Sequence, residues 1–479
     1  MSDRVHPTLD DPVVASLSEG VGGPMGSRGT RHPWWTPLRV VLALTAVCFA
    51  LGMVQKNTCY QASWQNGDTR YSHMCYSDLP YLYTGRGFVE LNWPYSGDEQ
   101  VRARYDVMEY PAGISYFAWG SAWVTHWLSG SPDLSPRYGR SVGKLTEEKA
   151  IQREMRLFVT VNAIGLAAVT LLAAWFLAGV HRRRPWDAAL FALSPMLALT
   201  GLVNWDLLAV VTVAGALWAW SRDRPVLTGV LIGVGAAIKL YPLFLLGGVL
   251  VICARDRRLM RFATAAVAAA GAWVVTNLPA YLTGREQWDV FWRFNADRGA
   301  DLGSIWLVIQ QVRDGSEAFS FHPVTINQAS WVFFGCWCLG VLLLGMFAPR
   351  TPRLAQLGFL VVAGFLLVNK VYSPQYVLWL LPLAVLARPR WRDQIVWQAG
   401  ELFYFAAVWW YLGGFLSPGG GGDVGAYWVA IVVRMVAELY LVAVVVRDVL
   451  RPDHDPVRAG EDEPEPEAAS PLPEPALSR

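Results

Sequence analysis

The chain has few charged residues for its length. Asp, Glu, Lys and Arg make up 16% of its 479 residues, whereas 54% are hydrophobic. A large soluble α/β enzyme carries charged side chains at regular spacing on its helix surfaces, and most segments here lack that pattern. Apolar runs of about twenty residues recur instead, which is typical of a protein that crosses the bilayer many times. We therefore expect an all-α polytopic bundle of about twelve transmembrane helices.

Both ends of the chain have too few apolar residues to form a packed domain. Residues 1–34 are polar and contain no short apolar core followed by a cleavage site, so we expect no cleavable signal peptide. Residues 448–479 are acidic and rich in Pro. Arg clusters in the connecting segments mark the cytoplasmic side. We expect two disordered cytoplasmic tails, a membrane domain at 35–447 and a long first outward loop at 55–112.

Several of the candidate membrane spans are short or interrupted. Residues 113–129 are few and include His126, so this span could be re-entrant or tilted. Residues 187–200 are also short for a span. Residues 226–254 read either as a helical hairpin or as one broken helix, because "KLYP" interrupts the apolar run.

Cysteine is scarce, and the six cysteines fall into two groups. Four lie in or beside apolar runs, where small buried side chains are expected: Cys48, Cys253, Cys336 and Cys338. Cys59 and Cys75 instead lie in the polar segment after the first span. They could pair if that segment faces an oxidising compartment. No metal-ligand spacing accompanies either group. We expect no cofactor, and the metal requirement stays open because Asp78 and Glu109 could bind an ion without a His/carboxylate cluster to support it.

Ionisable residues at the edges of apolar runs are costly and therefore informative. Those that are not ordinary loop charges all fall on the outward side of the predicted topology. They are Asp78, Glu109, Asp206, Lys239 and Lys370, with Arg293, Arg298 and Asp301 in the segment 291–306. Carboxylates and cations that converge on one face favour an active site for an anionic substrate held in the membrane.

The two lysines in this set are followed by nearly the same sequence. Lys239 begins "KLYP", and Lys370 begins "KVYSP", which contains Tyr372 and Ser373. Each lysine could simply reach the interface from the end of an apolar helix. Alternatively, Tyr and Pro break the helix there and place the ammonium beside free backbone groups, where it could bind a phosphate. An Arg from 293 or 298 would add a bidentate partner.

The carboxylates also have local explanations. Glu109 could favour a helix N-terminus in "EYP", and Asp206 could begin the helix after "NWD". Ser77 or Asp78 could cap a short helix. His322, in the outward segment "FSFHPVTIN", is either solvated or part of an acceptor site.

Several of these segments, taken in order, resemble glycosyltransferase family 87. They are an acidic residue in a long first loop, "EYP", "NWDLLAV", "GVGAAIKLYPL", "FNADRGADLGSIW" and "NKVYSPQYVLWLLPL", spread over residues 37–447. The resemblance implies a GT-C-fold enzyme of the cytoplasmic membrane with its active site outside. It implies transfer of a sugar, mannose by family default, from a polyprenyl phosphate to a glycolipid or glycan hydroxyl with inversion. Asp78 matches the general base, and neighbouring tyrosines such as Tyr76 could stack on a sugar.

Other functions stay open at this point. An arabinosyl donor on the same lipid phosphate would need the same cations. A transporter or lipid flippase predicts an internal repeat and polar residues near the middle of the bilayer, but the halves show no convincing repeat. A non-catalytic scaffold in envelope assembly is a third possibility. The clustering of charge on one face favours an enzyme.

Overall fold

The computed structural model describes residues 11–21, 34–314, 322–418 and 422–459. Within these ranges all regular secondary structure is helical. Five helices are long and apolar enough to cross a membrane, namely Pro37–Gln55, Lys149–Val180, Leu259–Thr283, Pro323–Phe347 and Val424–Leu450. Shorter apolar helical segments are Leu207–Trp220, Pro225–Ala236, Tyr241–Arg255, Leu354–Val368 and Pro374–Ala387. This set indicates a multi-pass membrane protein.

The remaining helices connect or cover these segments. The α-helices are Pro12–Val21, Asn57–Gln61, Thr69–Ser72, Asp78–Gly85, Glu99–Arg102, Ala112–Leu128, Val142–Glu147, Ala189–Ala192, Pro195–Thr200, Arg285–Asp297, Ile305–Asp314, Trp391–Leu412 and Pro456–Ala459. The short 3₁₀ helices are Phe88–Glu90, Ser135–Arg137, Pro185–Ala188, Tyr241–Phe244, Pro374–Tyr376 and Pro452–His454.

The helices differ in how much of their surface other helices cover. Only 11% of the most apolar part of Leu259–Thr283 is buried, so this helix lies at the outside of the bundle. Every residue of Val377–Ala387 is buried, and nearly all of Leu354–Val368 is as well. Such apolar helices form the centre of the bundle because they have no polar face to expose.

The run 225–255 forms two helices with a break between them. Pro225–Ala236 ends where residues 237–240 leave the α-helix, and the chain resumes as the 3₁₀ helix Tyr241–Phe244 and the α-helix Leu245–Arg255. Pro242 cannot donate a backbone hydrogen bond, which favours an interruption at this position. The break places Lys239 three residues past the end of the first helix, where its backbone N–H still donates to the Gly235 carbonyl (2.8 Å).

Several expectations about boundaries need correction. The count of about twelve spans is not confirmed. Residues 187–200 form two short helices, because Pro195 starts a new helix after Ser194. The N-terminal tail contains the helix Pro12–Val21, and Asp11 accepts a hydrogen bond from the Trp391 backbone N–H (3.0 Å). At the other end, structure continues to residue 459, and buried Asp455 pairs with Arg353 (2.9 Å). Residues 1–10, 22–33 and 460–479 of the expected tails lie outside the described residues.

Candidate active site

A cavity of about 820 Å³ collects side chains from distant parts of the chain. Its lining includes Asp78 and Glu109 from the first long loop, Lys239 from the break described above, and Arg298 and Lys370 from two later connections. Five of the ionisable residues singled out in the sequence therefore share one cavity.

Asp78 is free to act on a ligand because its neighbour performs the capping role. The Ser77 hydroxyl accepts a hydrogen bond from the Leu79 N–H (3.3 Å) and donates one to the Leu202 carbonyl (2.7 Å). The Asp78 N–H donates to the Val203 carbonyl (2.8 Å). Ser77 is thus the N-cap of the helix Asp78–Gly85, and both residues are tied to the segment 202–204. The Asp78 carboxylate is not needed for the helix.

Three donors hold the Asp78 carboxylate in place. The Tyr76 hydroxyl donates to Oδ1 (2.8 Å), while Tyr110 (3.3 Å) and the Asn204 amide (2.7 Å) donate to Oδ2. Asn204 also donates to the Tyr110 hydroxyl (2.8 Å), which fixes the two groups relative to each other. Hydrogen bonds from neutral donors favour the ionised carboxylate without neutralising it.

Burial raises the pKa of Asp78 above the usual value of a carboxyl group, although Tyr76, Asn204 and the charge of Lys239 oppose the shift. A raised pKa makes a carboxylate a stronger base at neutral pH. Lys56, at the end of the first long helix, is also buried, and its Nζ donates to the Met74 carbonyl (3.4 Å). Burial lowers the pKa of Lys56 to about 7, and Asp78 opposes that shift.

Lys239 has a buried counterion. Its Nζ lies 3.5 Å from Oδ1 of Asp206, which also accepts a hydrogen bond from the Trp379 indole (2.6 Å). The same ammonium lies 5.0 Å from the centre of the Tyr110 ring. Asp206 occupies the N-cap position of Leu207–Trp220, but its side chain makes no capping hydrogen bond. Its role is therefore to hold Lys239, and it does not itself line the cavity.

Lys370 and Arg298 form the second cationic group. The Lys370 ammonium donates to the amide oxygen of Asn327 (2.7 Å) and to the Ala296 carbonyl (3.3 Å). Arg298 pairs with Asp301, with Nε 2.9 Å from its carboxylate. Burial and the positive charge of Arg298 lower the pKa of Lys370. The lowered pKa shows that the two cations influence each other, and together with Asp301 they leave one net positive charge that attracts an anion.

Three further residues from the sequence have other surroundings. Glu109 lines the cavity but pairs with Arg86 (2.8 Å) and does not begin a helix, because the next helix starts at Ala112. Arg293 is outside the cavity lining and forms an exposed pair with Asp289 on its own helix (2.9 Å). His322 is exposed and caps Pro323–Phe347 through a long hydrogen bond from the Val324 N–H (3.4 Å). The phosphate role expected for Arg293 and the site role expected for His322 find no support in this placement.

Aromatic rings flank Asp78 on one side, and we call Tyr71, Tyr76, Tyr81 and Trp409 the tyrosine wall. The ring centres of Tyr76 lie 6.0 Å from Tyr71, 5.5 Å from Tyr81 and 5.3 Å from Trp409. Tyr71, Tyr76 and Trp409 line the cavity. A disulfide between Cys59 and Cys75 closes the loop that contains Tyr71, and Tyr76 follows directly after this loop.

Apolar rings form another part of the lining. Phe244, Phe334 and Phe365 lie within 5.0 to 5.5 Å of one another. Trp331 and Leu243 line the cavity as well, and they are 62% and 45% exposed. The cavity thus reaches the outside of the helix bundle along an apolar path. We call the rings along this path, Phe244, Phe334, Phe365 and Trp331, the aromatic wall.

Some polar groups at the cavity were not singled out in the sequence. Tyr110 and Asn204 belong to "EYP" and "NWD", so the motifs were visible although these members were not. Asn327 carried no comparable signal, and neither did Lys56, which is buried near Asp78 but does not line the cavity. Among the described residues, the Tyr241 hydroxyl, Gln375 Oε1 and Trp409 Nε1 have no hydrogen-bond partner, and all three residues line the cavity. No group of three or more His, Cys, Asp or Glu residues with metal-binding geometry occurs in the same ranges.

Comparison with known proteins supports the resemblance over part of the chain. The model of glycosyltransferase family 87 matches residues 153–374. No curated protein matches the chain. The matched segment contains Asp206, Lys239, Arg298 and Lys370, whereas Asp78 precedes it. The match over residues 153–374 is consistent with a GT-C-type glycosyltransferase.

Proposed function

We propose that this protein is an inverting glycosyltransferase with Asp78 as its general base. It transfers a sugar, mannose by analogy with the family, from a polyprenyl phosphate to a hydroxyl of a glycolipid or glycan. The site faces the outside of the cytoplasmic membrane. The observation that carries the proposal is the cavity itself, which combines a carboxylate free of a capping role with three cations and an apolar path to the surface.

The donor fits the cationic and aromatic parts of the cavity. A polyprenyl phosphate joins an anionic head to a long apolar chain. Lys370 and Arg298 supply positive charge for the phosphate, and the aromatic wall leads from the cavity to the surface beside Trp331. Among the described residues, the Lys370 ammonium donates to the neutral oxygens of Asn327 and Ala296 and to no carboxylate, so its charge is available to a phosphate.

The acceptor fits the side of the cavity that contains Asp78. A sugar ring can stack on the tyrosine wall, because its C–H face packs on an aromatic ring. Tyr76 belongs to this wall and also donates to the Asp78 carboxylate, so a stacked ring lies next to the base. The free Trp409 Nε1–H and Gln375 Oε1 offer further partners for hydroxyl groups.

The reaction needs one base and no covalent intermediate. The acceptor oxygen attacks the anomeric carbon while its proton passes to the Asp78 carboxylate. The bond from the anomeric carbon to the phosphate oxygen breaks, and the phosphate keeps the electron pair. Nearby cations stabilise the charge that develops on the leaving phosphate. A single displacement inverts the anomeric centre.

The test compares Asp78→Asn with Asp106→Asn in purified protein, supplied with polyprenyl-phosphate-mannose and extracted envelope glycolipids. Asp106 lies in the same loop, and its side chain is 90% exposed. Loss of the base should lower the transfer rate about 10²- to 10⁴-fold, whereas the control should retain it. Transfer by Asp78→Asn at the wild-type rate would rule out the assignment of the base.

A further inference from the structure

Two helices contain a buried charged cluster that does not line the cavity. Glu401 belongs to Trp391–Leu412, and Arg434 and Glu438 belong to Val424–Leu450. Their side chains are at most 1% exposed. Charged groups in apolar helices cost several kcal/mol each unless they are paired, and they usually serve a function. The reaction proposed above does not use them directly.

Tyr372 is the link between this cluster and the cavity. Arg434 pairs with Glu438 (3.0 Å), and its guanidinium lies 3.7 Å from the centre of the Tyr372 ring. The Tyr372 hydroxyl donates to Glu401, with both carboxylate oxygens 3.0 Å away. Glu401 also accepts a hydrogen bond from the Trp397 indole (3.2 Å). The ring of Tyr372 is therefore fixed on its face and at its hydroxyl end.

The backbone of Tyr372 is joined to the segments that carry the cations. We call residues 298–304 and 369–373 the cation rim. The Tyr372 N–H donates to the Leu302 carbonyl (2.6 Å), and the Asp301 N–H donates to the Lys370 carbonyl (2.8 Å). These two hydrogen bonds clamp the two halves of the rim together. Lys370 and Arg298 are thereby placed relative to the same tyrosine.

The same helices also hold the rim directly. The Tyr404 hydroxyl donates to the Tyr372 carbonyl (2.5 Å), and the Gly303 N–H donates to the Tyr427 hydroxyl (2.9 Å). Gly303 has a φ of +67°, and a Cβ there would lie 2.1 Å from the Tyr404 oxygen and 2.6 Å from the Tyr372 carbonyl oxygen. This close approach requires glycine. The rim is therefore packed against the cluster and not suspended in solvent.

We propose that Glu401, Arg434 and Glu438 are positioning residues that act through Tyr372 to hold Lys370 and Arg298 where they bind the donor phosphate. This inference rests on the proposed function. A charged cluster suits the task because a guanidinium stacked on the ring and a carboxylate at the hydroxyl specify one orientation. Apolar packing alone would allow the ring to shift.

The experiment measures the dissociation constant of a sugar-free polyprenyl monophosphate in detergent. Tyr372→Phe keeps the ring and removes only the hydroxyl that donates to Glu401. We expect binding to weaken about tenfold, the usual worth of a hydrogen bond to a charged group. Glu401→Gln keeps an oxygen acceptor and should weaken binding about threefold.

The matched control is Tyr440→Phe. Tyr440 lies on the same helix as Arg434 and also donates to a carboxylate, Asp393 (2.7 Å), but neither residue lines the cavity. This variant should bind the probe as the wild type does, even if its melting temperature falls by a similar amount. Equal binding by Tyr372→Phe, Glu401→Gln and Tyr440→Phe would overturn the inference.

Removal of both cations separates positioning from general stability. If Tyr372 acts through Lys370 and Arg298, adding Tyr372→Phe to the double variant Lys370→Gln/Arg298→Gln should weaken binding only slightly further. If the fold-changes in the dissociation constant multiply instead, the inference is wrong. The measurement needs no transfer, so it stands apart from the Asp78→Asn test: failure of the catalytic proposal appears in transfer, and failure of this one appears in binding.

Discussion

Lys239 and Lys370 begin nearly identical sequences but lie in different electrostatic surroundings. Both follow the end of an apolar helix, and a 3₁₀ helix follows each of them, Tyr241–Phe244 and Pro374–Tyr376. Tyr241 and Tyr376 even stack on the same ring, Trp379, with centres 4.7 and 4.1 Å apart. Lys239, however, has a buried counterion in Asp206, whereas within the described ranges Lys370 donates hydrogen bonds to the neutral oxygens of Asn327 and Ala296.

The difference shows that local sequence fixes the backbone around a lysine, while the partner decides what its charge can do. Lys239 and Asp206 together add no net charge to the cavity, so the pair shapes the site beside Asp78. Lys370 has no carboxylate within ion-pair distance among the described residues and has Arg298 nearby, and burial and that charge lower its pKa. The first lysine is suited to organising the site and the second to binding an anion.

The largest effect should come from removing the counterion of Lys239. Asp206→Asn leaves a largely buried ammonium without its partner, which should cost about 3 kcal/mol of the free energy of unfolding. The matched change, Asn327→Ala, removes a neutral partner of the more exposed Lys370 and should cost less than about 1 kcal/mol. Chemical denaturation in detergent compares the two. Similar losses of unfolding free energy in Asp206→Asn and Asn327→Ala would contradict the distinction between the two lysines.

The second effect concerns donor binding. Lys370→Gln removes a cation from the proposed phosphate site and should lower kcat/KM for the donor about 10- to 100-fold, because a charge-assisted hydrogen bond is lost. Lys370→Arg should restore part of this value. The melting temperature should stay near that of the wild type, since no carboxylate loses its partner. An unchanged kcat/KM for the donor would place the phosphate elsewhere.

The third effect is a change in pH dependence that only one lysine should cause. The charge of Lys239 opposes the upward shift in the pKa of Asp78. Lys239→Gln should raise that pKa further, so activity should disappear at a higher pH as the solution is made more acidic. Lys370→Gln should leave the acid limb of the pH–rate profile where it is. A shift in the opposite direction for Lys239→Gln would contradict the assignment of that limb to Asp78.

The smallest effect should lie on the tyrosine wall and involve neither lysine. Tyr71→Leu removes one ring of the proposed stacking surface and should raise KM for the acceptor about 2- to 10-fold, the usual worth of an aromatic contact. The dissociation constant of polyprenyl monophosphate should not change. If it did, donor and acceptor would share this side of the cavity, and the division between them would need to be redrawn.

The sequence predicted the convergence of charges but could not identify every partner. Asp78, Glu109, Lys239, Arg298 and Lys370 were all expected at one site, and they line one cavity. Periodicity and charge reveal where helices end, and ionisable residues at such ends stand out. The sequence could not decide whether Ser77 or Asp78 caps the helix that begins there, because both are good N-cap residues.

What could not be predicted depends on contacts between distant segments. Asn204 meets Asp78 only after the first loop has packed on the segment 202–204. Arg293 and Arg298 looked equivalent, yet one lies within the helix Arg285–Asp297 and the other just past its end. The spacing of Asp289 and Arg293 by four residues did contain a signal for a pair on one helix face. The carboxylates around Arg434 gave no sign of their link to Tyr372.

The attachment of Ser77 and Asp78 to residues 202 and 203 also constrains the order in which the protein can mature. Cys59 and Cys75 are only 16 residues apart, so their loop can close while most of the chain is still being made. Asp78 gains its Asn204 donor only after the ribosome has passed residue 204, and the cation rim requires residues beyond 372. A shortened chain that keeps the first loop would thus contain the carboxylate without the surroundings that make it a base.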